Sequence, residues 1–171
     1  PYPDNSFDYV VCLGVIQHTP DPEKTIKCLF DKVKPGGTLV IDHYIWRIGY
    51  YSTLTPIFRA VLKEMKPAKS QKIVNGLVNF FFLIHWALKD KGIINWFVHR
   101  VSPLIVYIKL FPEQDRTFHY EWSKLDTYDQ LTDYYKHLRS PKQIQSTLES
   151  IGGKNIWINK GGNGVEARCV K

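Results

Sequence analysis

Cysteine is scarce in this chain: Cys12, Cys28 and Cys169 are the only three among 171 residues. No two stand at metal-ligand spacing, and an odd number cannot close into a complete set of bridges. This argues against a disulfide-stapled or zinc-ribbon scaffold. What remains is a set of reduced thiols packed in apolar runs, as expected of a cytoplasmic protein. Long apolar runs are missing as well. A membrane-spanning helix needs roughly 20 uninterrupted apolar residues. Residues 73–88 are cut by Asn75, Gly76, Asn79 and His85, and residues 93–110 carry Arg100 and Pro103. No charged-then-apolar leader pattern is visible before the first apolar run. Repeats and low-complexity tracts are absent, and 44% hydrophobic with 23% charged residues argues against extensive disorder.

Acidic residues are nearly absent from one long segment. Residues 44–112 hold ten Lys and Arg against two Asp and Glu, a balance of +8, and the rest of the chain sums to −1, which gives the net +7. The excess positive charge therefore belongs to that segment, which points to an acidic partner: a membrane surface, a phosphate-bearing substrate or nucleic acid. Lys63, Lys66, Lys69 and Lys72 recur every three residues. A solvated helix face accounts for that strip, so no nucleic acid is expected.

The residues outside this segment read as α/β. Residues 7–13 are apolar on both faces, which suits a central parallel strand covered on both sides. Asp21 and Pro22 give a helix start, and Ile26, Leu29, Phe30 and Val33 give its buried stripe. Lys34-Pro35-Gly36-Gly37 stops the helix, and residues 38–42 make the next strand. Strand, helix and strand form a βαβ unit and imply a parallel sheet. Near the C-terminus, Ser140 and Pro141 start a helix with Ile144, Leu148 and Ile151 inward. Two strands follow, 155–159 and 165–170, joined by the turn Gly161-Gly162-Asn163-Gly164. Between these parts, two or three inserted helices are expected. The expected boundaries are 1–43 for strand-helix-strand, 44–122 for the insertion, and 123–171 for the closing helix and hairpin.

Pro1-Tyr2-Pro3-Asp4-Asn5-Ser6-Phe7-Asp8, Val15-Ile16-Gln17-His18-Thr19-Pro20-Asp21-Pro22 and Leu148-Glu149-Ser150-Ile151-Gly152-Gly153 together resemble the C-terminal half of a class I S-adenosylmethionine-dependent methyltransferase domain. The matching regions cover about half of the chain. The resemblance implies strands four to seven of a Rossmann-like sheet, in spatial order four, five, seven, six, with an antiparallel last pair and an inserted helical lid. It implies S-adenosyl-L-methionine as cofactor and methyl transfer as the reaction. The family's glycine-rich loop and ribose-binding acid are not in these residues, and Gly161-Gly162-Asn163-Gly164 does not open a helix, so it cannot replace that loop. A fragment that is inactive alone is therefore expected. A different doubly wound enzyme, such as a reductase, is disfavoured by the C-terminal hairpin and the missing dinucleotide loop.

In open parallel sheets ligands bind at the carboxyl ends of the strands. The resemblance then implies that Leu13, Gly14, Val15 and Ile16 line the cofactor cleft; the alternative is that they only end a strand. His18 is the best candidate for a base, since imidazole takes a proton near neutral pH, and its alternative role is to hold the loop. Asp42 is a second candidate, as base or as orienter of one. The spacing of His18, Asp42 and His43 fits no metal signature, so no metal is expected. Tyr44, Trp46, Tyr50 and Tyr51, with Tyr128, Tyr134, Tyr135 and His137, suit an aromatic acceptor pocket or a packed anchor for the insertion. Tyr44, Trp46, Tyr128, Tyr135 and His137 are the candidate substrate contacts. The expected acceptor is a small or lipid-like molecule. The insertion reads as a lid, or as a peripheral membrane contact through residues 44–112; a cytoplasmic protein is expected, membrane-associated on the second reading. A non-catalytic membrane- or partner-binding module is the competing reading.

Overall fold

The computed structural model describes residues 2–46, 53–162 and 164–171. The first apolar run forms strand β1 (Phe7–Cys12) and passes into a single 3-10 turn at Ile16–His18. Helix α1 (Pro22–Lys32) starts as its residues dictate: the Asp21 carboxylate accepts a hydrogen bond from Lys24 N–H at 2.9 Å, satisfying a donor the first turn leaves open. Strand β2 (Val33–Tyr44) begins five residues earlier than expected. Val33, read as the end of the helix stripe, has ψ 136° and pairs with Phe7. The Lys-Pro-Gly-Gly break thus sits inside an interrupted strand, whose pairing with β1 resumes at Tyr9 and Thr38.

Helix α6 (Pro141–Ser150) carries a capping box in which Ser140 and Gln143 satisfy each other's backbone N–H. Strands β3 (Lys154–Gly161) and β4 (Gly164–Val170) follow. The sheet order is β1-β2-β4-β3, with β1 and β2 parallel and the remaining pairs antiparallel. Strand alternation turns Leu39, Ile41, Val165, Ala167 and Cys169 to one face, where they meet Ile26, Phe30, Ile144 and Leu148. Each such buried Ile or Leu contributes roughly 1.5–3 kcal/mol. Burial also pushes the Cys169 thiol up to about 11. Cys28, read as packed, is exposed. The other face of β1 is open: Tyr9, Val11 and Leu13 are 72%, 60% and 56% exposed. Instead of lying centrally and covered on both sides, β1 forms a sheet edge with one packed face.

The chain divides into two compact units, one of residues 1–46 with 135–171 and one of residues 47–134. The second is helical: α2 (Thr55–Leu62), α3 (Pro67–Ala87), α4 (Gly92–Val101) and α5 (Arg116–Thr132). Its core is Leu62, Val74, Val78, Phe82, Leu104 and Leu131. The units part at 46/47 and 134/135 rather than at 43/44 and 122/123, because α5 packs along α2 and α3. Helix α5 escaped the hydrophobic pattern since its buried residues are His119, Ser123, Thr127 and Leu131, only one of them apolar. The apolar run 93–110 is helical only to Val101; Ser102 is already extended, and Pro103 follows. Among the described residues no helix is long and apolar enough to cross a membrane.

Candidate functional site

Strands β1 and β2 run parallel, with Cys12 paired to Ile41, so both present their carboxyl ends at the same edge of the sheet unit. There Gly14 adopts φ 72°, a left-handed turn that favours glycine. Its backbone N–H donates to Asp42 Oδ1 at 2.6 Å. Asp42 is 5% exposed, and its carboxylate ties the turn after β1 to the end of β2. A Cβ on Gly14 would meet nothing within 4 Å, so the backbone face here is open. Leu13 and Val15 on either side are exposed, whereas Ile16 is fully buried in the core and does not line the opening with its side chain.

Leu13, Val40 and Asp42 continue into a groove of about 490 Å³ on the uncovered sheet face, with Trp157, Glu166 and Arg168 on its far side. The Arg168 guanidinium lies 5.0 Å from the Trp157 ring centre. Apolar walls with a few charged tips are the usual makeup of a small-molecule site.

A second cluster forms around the 3-10 turn. Residues 135–139 cross it: His137 N–H donates to Gln17 O at 3.0 Å and Arg139 N–H donates to Tyr44 O at 2.9 Å. Trp46 N–H donates back to Arg139 O at 3.3 Å. The Arg139 guanidinium holds Glu23 through two contacts of 2.8 and 3.1 Å, which keeps the Glu23 carboxyl below its ordinary range. His18 Nδ1 lies 3.1 Å from Tyr135 O. A carbonyl only accepts, so Nδ1 carries the hydrogen and Nε2 is the basic nitrogen of the neutral ring. The His18 ring meets Tyr44 edge-on at 5.3 Å, and Lys136 Nζ sits 5.3 Å over the same Tyr44 ring. Tyr135 stacks on His137 at 6.1 Å.

Leu13, Gly14 and Asp42 therefore come together, and His18, Tyr44, Tyr135 and His137 form the neighbouring cluster. Trp46 is 55% exposed and joins through its backbone. Tyr128 is on α5, packed beside the core of the helical unit. Tyr50 and Tyr51 lie outside the described residues. His18, Asp42 and His43 do not converge: neighbours on a strand leave opposite faces, and His43 is fully buried with Nδ1 3.0 Å from Tyr44 O. Among the described residues no three His, Cys, Asp or Glu side chains gather.

Gln17 has no apolar or charged signature to mark it, yet it is fully buried, and among the described residues neither its amide atoms nor His43 Nε2 and His137 Nε2 find a hydrogen-bond partner. Burial is the main force lowering the His43 pKa. Its position one residue past Asp42 was the available signal, since strand alternation sends it to the core face.

The helical unit holds its own cavity of about 310 Å³, lined by His85, Asn95, His99, Tyr107 and Lys109 among others. His85 is 1% exposed, its ring centre is 4.6 Å from that of His99, and burial first, then His99, pushes its pKa down to about 4.

Residues 1–41 match the family model described as "Methyltransferase domain". The chain is 46% identical over 43 residues to phosphoethanolamine N-methyltransferase 2 of Caenorhabditis elegans, a stretch that is 25% of this chain and 10% of that protein. It is 48% identical over 44 residues to tRNA U34 carboxymethyltransferase of Helicobacter acinonychis, 26% of this chain and 16% of that protein. It is 26% identical over 83 residues to the ubiquinone/menaquinone biosynthesis C-methyltransferase UbiE of Pasteurella multocida, 48% of this chain and 30% of that protein. The chain thus spans less than a third of the length of each of these relatives.

Proposed function

We propose that this chain, which carries part of a class I S-adenosylmethionine-dependent methyltransferase domain, supplies one side of the cofactor and acceptor cleft of an enzyme that methylates a small or lipid-like molecule. The observation that carries the reading is the Gly14 turn. Its left-handed backbone, its open Cβ direction and the exposed Leu13 and Val15 make a ledge at the carboxyl end of β1, where open parallel sheets bind ligands. The ledge fits S-adenosylmethionine as an apolar contact and a close backbone approach. The cofactor supplies an activated methyl group for in-line displacement.

The chain's own residues then bind, orient and move a proton. Leu13 and Val15 offer apolar contact to the adenosine, and Asp42 fixes the turn through Gly14 rather than acting on the acceptor directly. His18 is the candidate base, because its Nδ1 hydrogen points to Tyr135 O, which makes Nε2 the basic nitrogen of that tautomer. Tyr44, Trp46, Tyr135 and His137 are the candidate acceptor wall. The glycine-rich turn and ribose-binding acid of the family are not among these residues, so on this reading the chain alone binds the cofactor weakly and does not turn over.

Titration of the isotopically labelled 171-residue chain with S-adenosylhomocysteine tests the reading by NMR. Fast-exchange shifts concentrated at the amides of Leu13, Gly14 and Val15 are expected. A titration that moves no amide at that ledge, or moves only those elsewhere, overturns it.

A further inference from the structure

Helix α4 is built the wrong way round for a surface helix. Its one buried residue is the polar Asn95, whose side chain donates to Lys89 O at 3.3 Å and lines the His85 cavity. Ile93, Ile94, Trp96, Phe97 and Val101 are 78%, 53%, 53%, 59% and 51% exposed. At 100° per residue these five, with Arg100, fall on one arc opposite Asn95. Leu54 N–H donates to Arg100 O at 3.1 Å, which adds the exposed Leu54 to the end of the same strip.

The charge at the ends of this arc is net positive: Lys89, the exposed Asp90 and Lys91 precede it with a balance of +1, and Arg100 lies on it. Residues 91–112 contain no Asp or Glu and carry Lys91, Arg100 and Lys109. Lys91 is exposed, whereas Lys109 lies on the other side of α4, where it lines the His85 cavity with Asn95. The Arg100 guanidinium lies 4.6 Å from the Trp96 ring centre, so its stem covers apolar surface while its charge stays at the rim. Lys89 Nζ caps Trp86 in the same way at 4.2 Å. A second copy of this face would set basic residues against basic residues, which disfavours self-association through it. A phosphate-bearing apolar layer satisfies both features at once.

We propose that α4 lies in the plane of an anionic lipid bilayer, with Ile93, Ile94, Trp96, Phe97 and Val101 among the acyl chains and Lys91 and Arg100 at the headgroup phosphates. Ten residues of helix reach only about 15 Å, so the helix rests in the interface and does not span. The inference does not depend on methyl transfer.

The test is co-sedimentation of the 171-residue chain with vesicles of phosphatidylcholine alone and of phosphatidylcholine with phosphatidylserine. Binding to the anionic vesicles is expected, reduced about tenfold or more by high salt or by omitting phosphatidylserine. The double variant Ile94→Gln/Phe97→Gln is expected to lose about tenfold or more in partitioning with unchanged circular dichroism. Lys91→Glu is expected to weaken binding to anionic vesicles alone. Brominated lipid is expected to quench wild-type tryptophan emission more than that of Trp96→Phe. Absence of binding to anionic vesicles overturns the proposal, and so does a double variant that binds like the wild type. A dimer abolished by the double variant, in a chain that ignores vesicles, overturns it in favour of self-association.

Discussion

The Asp42 carboxylate accepts a 2.6 Å hydrogen bond from the Gly14 backbone N–H, 28 residues away, and so fastens the turn after β1 to the end of β2. This charge-assisted bond is part-buried, with Asp42 shielded and Gly14 exposed. Asp42→Ala removes the acceptor of the exposed Gly14 N–H, which water can then reach, and should cost about 0.5–1.5 kcal/mol, while Asp42→Asn keeps an acceptor and should cost less. Gly14→Ala has space for its methyl group, so its cost should be the left-handed backbone alone, about 1 kcal/mol. Urea denaturation of the three variants checks the order; equal midpoints for Asp42→Ala and wild type would show that the turn needs no anchor.

In the helical unit, Arg59 is paired with Asp133, with side chains 11% and 7% exposed. Arg59 also donates to Gln130 O at 3.1 Å and to Tyr134 O at 3.4 Å, which fixes α2 against the end of α5. Arg59→Ala leaves a buried carboxylate without its cation and should cost about 3–5 kcal/mol, whereas the double change Arg59→Leu/Asp133→Leu should be much milder. Thermal unfolding of both variants separates the cases. A loss below about 1 kcal/mol for Arg59→Ala would place the pair with ordinary surface bridges.

His85 gives the helical unit a pH dependence of definite sign. Its pKa falls from 6.5 to about 4 on folding, chiefly because burial penalises the charged ring. Burial and the nearby Lys109 lower His99 too. The unfolded chain therefore takes up protons that the folded chain refuses. This contribution is complete above pH 6.5 and is lost as the pH falls from there toward 4, by up to about 3 kcal/mol for His85. Denaturation midpoints measured across that window should drop, and His85→Gln should flatten the drop. A wild-type profile that is level through the window would contradict the burial of a neutral imidazole.

Local chemistry made several elements readable in advance. Asp21 with Pro22, and Ser140 with Pro141 and Gln143, are capping signals whose hydrogen bonds span three residues, so no distant contact is needed to form them. Helix α5 was not readable, because its inward face is His119, Ser123 and Thr127, and those polar side chains are buried only once α2 and α3 pack on it. At the candidate site the sequence marked Gly14, His18 and Asp42 as lying at strand ends. Which of them touch was a matter of register. Cys12 opposite Ile41 brings Gly14 to Asp42, and alternation sends His43 to the core.

By itself, then, the order of residues determined the α/β character of the terminal parts, the caps and the basic insertion, since these rest on contacts within a turn or on composition. The tertiary structure decided which face of β1 is uncovered, that Val33 belongs to a strand, that Gln17 and His43 are buried, and that α4 turns its apolar side outward. Each of those depends on which segment, distant along the chain, excludes water from a given side chain, and no local pattern carries that information.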